Sequence, residues 1–453
     1  MRHDLAKYRN FSLVTLLILF LSFSINFFGA MRTDAFVMNF KDSESLVVER
    51  IACHGKLDGG QMLEQKHPSH SYLDGQCTPS NLKPYSSQFG LQARVYTFGY
   101  QILSKVGLKS VHAYVALSQI LTALLSAAVL TLFALWLRAR FGLITASFTT
   151  GMMAVSPMLV GFGRNLYWAM PLMFLPLVYG LYYYHLNYTP RQRTAFWLIM
   201  GLLLYIRFLC GYEYITSLTI MVLAVIGYHL FVQQQPRKRF ISEWAIAFTV
   251  CVASFGLALG THVYSLQRYT GSVSSAVKII KQRALARTTD IGDYLQYPLT
   301  GLNANLPDVY ETANAYLNLD AHVNAHSEFW SSSAAFINYV SLPIFNMPVG
   351  FNQPFATYGQ SITVFILLLA ILYVYRRKWL KPKDELRVKA LYFGALVGLG
   401  GYMSWLILAR SHSLVHAHIN GILMYLPFGL FGYAIIGYAL QLQFEKVSKK
   451  RQK

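Results

Sequence analysis

The stretch FSLVTLLILFLSFSINFFGAM, residues 11–31, decides the fold because it is an almost unbroken apolar run near the start of the chain. A helix of about 20 apolar residues crosses the hydrocarbon core of a bilayer. A signal peptide has a shorter apolar region and a small-residue cleavage site, whereas this run is long and continues into FFGAMR. We therefore expect a first membrane helix that is retained.

The rest of the chain repeats this pattern. Of its 453 residues, 55% are hydrophobic and only 13% are charged, whereas a soluble domain averages about 25% charged residues. The composition predicts an all-α polytopic membrane protein, with about ten transmembrane helices in a single domain, 1–453. The nine further apolar runs are 112–137, 143–162, 166–186, 194–211, 214–232, 242–265, 361–376, 388–409 and 419–441.

The net charge of +20 is concentrated in short connections between apolar runs. This distribution follows the positive-inside rule and argues against a nucleic-acid partner. It predicts that both termini are cytoplasmic and that two long segments, 32–111 and 266–360, lie outside, the second with re-entrant pieces. The basic connections are RAR (138–140), TPRQR (189–193), QQQPRKR (233–239), RRKWLKPKDELRVK (376–389) and KVSKKRQK (446–453).

The first outer segment begins with FKDSESLVVERI, residues 40–51, in which apolar residues recur at helical spacing. It predicts an amphipathic helix on the membrane surface. Asp42 and Glu49 project to its polar face, whereas Glu44 falls in the middle of the apolar face, where a charge is costly unless it is paired or useful. Asp42 as a helix cap, Glu49 as a solvated residue or the partner of an arginine, and Glu44 in a structural ion pair remain alternatives.

Three segments then carry a resemblance to a known family. They are DSESLVVERIACHGKL (42–57), YSSQFGLQARVYTFGYQIL (85–103) and SPMLVGFGRNLYWAMPLMFLPL (156–177). The segment 42–57 is similar to the acidic juxtamembrane element of the GT-C superfamily of integral-membrane glycosyltransferases, and the segment 85–103 resembles the other juxtamembrane helix of that superfamily. Many members have adjacent Asp and Glu in the acidic element, whereas this chain has Asp42-Ser43-Glu44.

The resemblance implies a hexose transfer from a polyprenyl-phosphate donor to a glycan acceptor on the periplasmic face of a bacterial inner membrane. Among GT-C enzymes the chain looks most like serotype-modifying O-antigen glucosyltransferases, so the acceptor would be O-antigen or lipopolysaccharide. The reaction would be an inverting displacement in which a carboxylate takes the acceptor proton. The candidate catalytic residues are Asp42, Glu44 and Asp34.

Polar residues at the expected outer turns are candidates for substrate binding. They include cations that could meet a phosphate, although an arginine at the interface also snorkels and histidines also form structural hydrogen bonds. A cluster of histidines could instead ligate a divalent metal, so a metal is possible but no cofactor is assigned. The candidates are Arg164, Tyr167, Glu213, Arg410, His412, His416, His418, Gln88 and Gln92.

The four cysteines divide into two kinds. Cys53 and Cys77 both lie in the first outer segment, where an oxidising compartment permits a disulfide, so we expect a bridge. Two free thiols are the alternative. Cys210 and Cys251 lie in or beside apolar runs and are interpreted as packing residues.

Two other functions are compatible with a hydrophobic chain that has polar outer segments. A transporter or flippase of lipid-linked sugars often shows internal repeats and matching broken helices, and the sequence shows no such symmetry. An O-antigen polymerase or ligase usually relies on a late outer loop rich in arginine. The acidic stretch after the first helix favours the transferase.

Overall fold

Each of the ten apolar runs contains a helix in the computed structural model. The structure describes residues 7–31, 36, 41–54, 61–65, 77, 79–288, 336, 362–380, 382–409, 412–413 and 416–451. In chain order the helices in these runs are α1 (Arg9–Ile25), α4 (Val111–Phe141), α5 (Leu143–Ala154), α6 (Pro157–Gly163), α7 (Met170–Tyr183), α8 (Pro190–Cys210), α9 (Ile215–Val232), α10 (Arg237–Thr270), α12 (Ile362–Val374), α14 (Pro382–Leu408) and α16 (Phe428–Arg451). The intervening helices are α2 (Lys41–Ala52), α3 (Leu91–Lys105), α11 (Val273–Thr288), α13 (Arg376–Trp379) and α15 (Ala417–Asn420), with short 3₁₀ turns at Pro79–Asn81 and Gly421–Tyr425.

The chain is a multi-pass membrane protein. Among the described residues, five helices are long and apolar enough to cross a bilayer: α4, α8, α9, α10 and α14. The pair α5–α6 passes the same criterion only together and is bent by 70° at Pro157, a residue that cannot donate a backbone hydrogen bond within a helix. The all-α polytopic prediction is confirmed, whereas a count of ten complete spans is not.

Small residues bring the membrane helices into close contact. A side-chain carbon placed on Gly394 of α14 would come within 2.6 Å of the Phe431 ring of α16. Two turns further along α14, Ser217 of α9 donates a hydrogen bond of 2.8 Å to the carbonyl oxygen of Gly401. Because lipid is as apolar as the side chains, close packing and hydrogen bonds of this kind hold membrane helices together.

The segment after α1 forms a layer of short elements at one end of the bundle. Helix α2 packs against α3, and its apolar residues Val47 and Ile51 are completely buried, as the amphipathic pattern predicts. Two strands, β1 (Leu63–Gln65) and β2 (Leu82–Pro84), pair antiparallel beside α2. We call this end, where α2 and α3 lie, the site end.

One expectation for α2 is wrong. Glu49 was expected on a solvated face, but only 6% of it is exposed. The reason is that α2 is covered on both sides, by α3 and by β1, so no side of its second half meets solvent. The alternative interpretation, in which Glu49 pairs with an arginine, remains a prediction.

The cysteines of the first outer segment lie together at the site end. Cys53, which directly follows α2, is joined to Cys77 by a disulfide with Cα atoms 4.9 Å apart. Cys210 and Cys251 are free and buried. Of the second long segment, the structure describes 266–288 and Phe336.

Candidate functional site

The turn between α6 and α7, residues 164–168, is the centre of the candidate site. The side chain of Asn165 is buried, and its Oδ1 accepts hydrogen bonds from the backbone N–H groups of Tyr167 at 2.9 Å and Trp168 at 3.2 Å. An asparagine that bonds its own backbone in this way fixes a turn without help from regular secondary structure. We call residues 164–168 the central turn.

Glu44 of α2 lies against this turn, in the buried position that the helical projection predicts. Its Oε1 accepts the backbone N–H of Leu166 at 2.9 Å, and its Oε2 accepts the side-chain amide of Gln119 at 3.0 Å. Only 8% of Glu44 is exposed. Burial raises the pKa of Glu44 above its usual value, although these two hydrogen bonds and the charge of Arg164 act in the opposite direction.

Arg164 begins the central turn. Its guanidinium lies over the Phe36 ring, 4.0 Å from the ring centroid, and donates a hydrogen bond of 3.2 Å to the Phe36 carbonyl oxygen. This contact joins the segment between α1 and α2 to the turn. Asp34, two residues before Phe36, lies outside the described residues. Asp42 lies in the first turn of α2, and its side chain also lies outside them.

The turn between α8 and α9 brings a second carboxylate to the same place. Glu213 is 2% exposed and accepts hydrogen bonds from Arg287 Nη1 of α11 at 2.8 Å and from the Tyr167 hydroxyl at 3.0 Å. Burial alone would raise the pKa of Glu213. The charge of Arg287, the hydrogen bonds that Glu213 receives and the charge of Arg207 in α8 together outweigh burial and hold the pKa of Glu213 below its usual value.

Arg287 connects three elements at this point. Besides the ion pair with Glu213, its Nη2 donates a hydrogen bond of 2.9 Å to the Tyr85 hydroxyl in the loop before α3. The pKa of Arg287 is raised because the charge of Glu213 outweighs the burial of the guanidinium. Neither Arg287 nor Tyr85 was among the sequence candidates. The available signal was the basic helical stretch KIIKQRALART, residues 278–288, which contains four equivalent cations.

Two glutamines of the second juxtamembrane element complete the lining. Gln92 of α3 donates a hydrogen bond of 2.8 Å to the carbonyl oxygen of Tyr167. Gln88 is 1% exposed, and neither atom of its amide makes a hydrogen bond within the described part of the chain. A side-chain carbon on Gly211 would lie 2.5 Å from both Gln88 Oε1 and Glu213 Oε2, so these oxygens flank the same point. Gln88 therefore presents polar atoms beside Glu213.

The histidines lie further away and are connected to the central turn through a series of contacting aromatic rings. Trp168 of the central turn stacks on Tyr214 at 5.4 Å, and Tyr214 meets Trp405 at the same centroid distance. Trp405 then contacts His412, whose ring centroid lies 4.8 Å from that of His416. The rings therefore run from the central turn to the histidine pair.

The other sequence candidates near the histidines are described only in part. Arg410 lies outside the described residues, and His418 falls in α15 without a described side chain. Within the described part of the chain, no three His, Cys, Asp or Glu side chains lie close enough to hold a metal ion.

Comparisons with known proteins add little to this geometry. No family model matches the chain, and no curated protein matches it. Among solved structures, the chain is similar to the crystal structure of ArnT from Cupriavidus metallidurans bound to undecaprenyl phosphate, with 15% identity over 96% of this chain and 78% of that one. The TM-score of 0.39 is too low to establish a shared fold.

The class of protein is therefore inferred from the structure of this chain itself. It is a polytopic α-helical membrane protein with a buried polar site at one end of its bundle. Two carboxylates, Glu44 and Glu213, approach the central turn from different elements and have pKa values shifted in opposite directions. Such a pair can supply one group that exchanges a proton and one that stays charged.

Proposed function

We propose that the chain is a GT-C-type membrane glycosyltransferase that transfers a hexose from a polyprenyl-phosphate donor to a glycan acceptor. The single observation that carries this proposal is the pair Glu44 and Glu213, both buried and both hydrogen-bonded to the central turn at the end of the bundle where α2 lies. A lipid-linked donor delivers its sugar at the membrane surface, which is where an amphipathic helix such as α2 resides.

The proposed step is a direct displacement at the anomeric carbon. The acceptor hydroxyl oxygen bonds to that carbon while the bond from carbon to the phosphate oxygen breaks, and polyprenyl phosphate leaves with the electron pair. The acceptor proton passes to a carboxylate, for which the raised pKa of Glu44 is suited. Asp42, two residues earlier in α2, is the alternative base, and Asp34 is a third candidate. Configuration at the anomeric carbon inverts.

Glu213 has a different role in this proposal. Its lowered pKa keeps it charged, and its partners Arg287 and Tyr167 hold it in place. We assign it to orienting the acceptor together with Gln88, whose buried amide lies beside it. Gln92 supports the central turn through the Tyr167 carbonyl oxygen.

The departing phosphate needs positive charge close to the membrane surface. Arg164, Arg410 and the histidines are the sequence candidates. Arg94 of α3 is a further one: it donates a hydrogen bond of 2.8 Å to Ser265 of α10, and its pKa is lowered by burial and by the charge of Arg50 of α2. One turn from Ser265, His262 is completely buried, and neither ring nitrogen makes a hydrogen bond within the described residues.

We place the reaction on the periplasmic face of a bacterial inner membrane, with O-antigen or lipopolysaccharide as acceptor. The Cys53–Cys77 disulfide at the site end supports an oxidising compartment there. Two basic connections, 189–193 and 233–239, lie where α8 and α10 begin, at the end of these helices opposite to the site end. This distribution agrees with the positive-inside rule.

The test is a transfer assay with purified protein, a panel of polyprenyl-phosphate hexoses and isolated glycans. We expect sugar to appear on one acceptor and polyprenyl phosphate to be released in equal amount. Glu44→Gln should reduce the rate about 100-fold or more, the usual contribution of a general base. Asp42→Asn is assayed beside it. Full transfer by both variants would contradict the assignment of a base in α2.

The assay also separates the rival functions. A flippase would move the intact lipid-linked sugar across a proteoliposome membrane without breaking the bond to phosphate. A polymerase or ligase would release polyprenyl diphosphate from a lipid-linked oligosaccharide instead of polyprenyl phosphate from a single hexose. Either result, without hexose transfer, would overturn the proposed function.

A further inference from the structure

A second polar site lies at the opposite end of the bundle. It is a cavity of about 170 Å³ at the end of α7 and the beginnings of α8 and α10. Helix α8 has 21 residues and runs from this cavity to the Glu213 turn, so the two sites lie about 30 Å apart. We call this cavity the polar pocket. The proposed transfer reaction makes no use of it.

The polar pocket contains buried groups that lack partners. Glu243 of α10 is 5% exposed: its Oε1 forms an ion pair of 2.7 Å with Arg193 of α8, while its Oε2 makes no hydrogen bond within the described residues. The same holds for the indole N–H of Trp197, which is 8% exposed. Buried polar atoms without partners are rare because leaving them unsatisfied is costly. The Tyr184 hydroxyl, which lines the pocket beside Glu243, is likewise buried without a hydrogen bond to the described residues. The pocket therefore offers one acceptor, Glu243 Oε2, and two donors to an occupant.

The charges around the pocket are mixed. Arg193, Arg239 and Glu243 all line it. Arg239 is held in place by hydrogen bonds to the Leu186 carbonyl oxygen at 2.9 Å and to Gln235 at 3.1 Å. The two guanidinium groups suit a phosphate, whereas the open carboxylate oxygen of Glu243 suits a cation. A zwitterion that carries both groups would meet both needs.

An apolar groove opens from the same place. It has a volume of about 520 Å³ and runs between α8 and α10, and Arg193 and Trp197 line both the groove and the polar pocket. Further along, its walls are formed by Leu198, Leu202 and Leu257, each more than half exposed. On a helix that crosses a bilayer, these side chains face acyl chains. Pocket and groove together have the shape and polarity of a site for one amphiphile.

We infer that the polar pocket and the groove bind one phosphatidylethanolamine molecule. Its primary ammonium donates a hydrogen bond to Glu243 Oε2, its phosphate accepts hydrogen bonds from Arg193 and from the Trp197 indole, and one acyl chain lies in the groove. A choline headgroup cannot donate this hydrogen bond, because its nitrogen carries three methyl groups. Basic pockets between helices at the cytoplasmic end are a recognised setting for the phosphates of lipid headgroups. The acid Glu243 in this pocket adds the acceptor that an ammonium group requires.

The test is a lipid titration of the purified, delipidated full chain, followed by native mass spectrometry. Dioleoyl phosphatidylethanolamine, phosphatidylcholine and phosphatidylglycerol are compared. We expect one phosphatidylethanolamine per chain, bound about tenfold more tightly than phosphatidylcholine because of the charge-assisted hydrogen bond to Glu243. Equal retention of the three lipids by the wild-type chain would overturn the inference, and so would a preference for phosphatidylglycerol.

Matched variants separate the headgroup from the acyl chain. Glu243→Gln should abolish the preference for ethanolamine over choline, while Glu385→Gln, which alters a half-buried ion pair with Lys389, should keep it. Ala253→Trp fills the groove and should weaken all lipid binding, whereas Val252→Trp, on the same helix outside the groove, should not. An unchanged lipid preference in Glu243→Gln would contradict the assignment. If that variant does not fold, the wild-type comparison of headgroups still decides.

Discussion

Glu44 and Glu213 both contact the central turn and are almost equally buried, yet their surroundings shift their pKa values in opposite directions. Glu44 receives hydrogen bonds from a neutral backbone N–H and a neutral amide, and burial dominates, so its pKa is raised. Glu213 receives hydrogen bonds from Arg287 and a tyrosine, so its pKa is lowered. Burial alone therefore does not determine the state of a carboxylate, because nearby cations and donated hydrogen bonds can outweigh it.

The two carboxylates also differ in the role that their pKa values allow. A carboxylate with a raised pKa can take up a proton near neutral pH, whereas one paired with arginine stays charged and keeps its position. In the proposed transferase, Glu44 corresponds to the reacting group and Glu213 to the positioning group. Four predictions test this difference by measuring the free energy of unfolding of variants.

The largest effect is expected when Glu213 loses its partner. Arg287→Leu leaves a buried carboxylate without its cation and should lower the free energy of unfolding by about 3 kcal/mol at neutral pH, the typical cost of breaking such a pair. Since the pKa of folded Glu213 lies below its unfolded value, the pair stabilises the wild-type chain above the unfolded pKa, about 4.3. This contribution is lost as the pH falls through the folded pKa.

Two further variants control this prediction. In the double variant Arg287→Leu with Glu213→Leu, most of the lost stability should return, because neither member of the ion pair is left buried without the other. Arg283→Leu removes a neighbouring arginine of α11 that contacts Glu64 at 3.7 Å near the surface, and it should cost less than about 1 kcal/mol. Unfolding in detergent, followed by tryptophan fluorescence, measures all of them. Equal losses for Arg287→Leu and Arg283→Leu would contradict the comparison.

The sequence predicted one half of the pair better than the other. Glu44 was found because helical periodicity places it among Val47, Val48 and Ile51, and burial follows directly from that pattern. Glu213, Tyr167 and Gln92 were candidates by their position in turns or juxtamembrane segments. The sequence did not predict the partner of Glu213, because 74 residues separate Glu213 from Arg287. The stretch 278–288 contains four cations, and only tertiary packing determines which of them reaches Glu213.

For the fold, too, the sequence predicted some features and not others. Apolar runs predicted where the helices lie, because lipid requires every backbone group to be satisfied within a helix. They did not predict the 70° bend between α5 and α6 or the short strands β1 and β2. The bend comes from one proline within an otherwise continuous apolar run, and strands of three residues are too short to show an alternating pattern.

The second prediction concerns the turn that joins the two carboxylates. Asn165→Ala removes the acceptor of two backbone N–H groups and should lower the free energy of unfolding by about 2 kcal/mol. Because Leu166 and Tyr167 then lose their fixed positions, transfer activity should fall as well. Asn26→Ala is the matched control: it removes a similar link, to the backbone of Met31, and should leave transfer intact. Equal transfer rates for the two variants would contradict the role of the central turn.

The third prediction isolates the hydroxyl of Tyr167. Tyr167→Phe keeps the ring but removes a hydrogen bond to charged Glu213, and it should cost about 1.5 kcal/mol at neutral pH. Arg287 remains, so the loss is smaller than in Arg287→Leu. Tyr179→Phe removes a hydrogen bond of 3.4 Å to a neutral carbonyl oxygen and should cost less. If the two phenylalanine variants were equally stable, Tyr167 would not be a significant partner of Glu213.

The smallest effect is expected at Glu44, and its sign is opposite. Glu44→Gln keeps an acceptor for the Leu166 N–H and removes a carboxylate whose folded pKa is raised, so the variant should be as stable as the wild type or more stable, by about 1 kcal/mol or less, at neutral pH. The contribution of the wild-type carboxyl group is present below its unfolded pKa and is lost as the pH rises through the raised folded pKa. The advantage of the variant should therefore grow with pH, as unfolding measured at several pH values would show. A variant that became relatively less stable as the pH rose would mean that Glu44 is held charged, like Glu213, and the two carboxylates would then be equivalent.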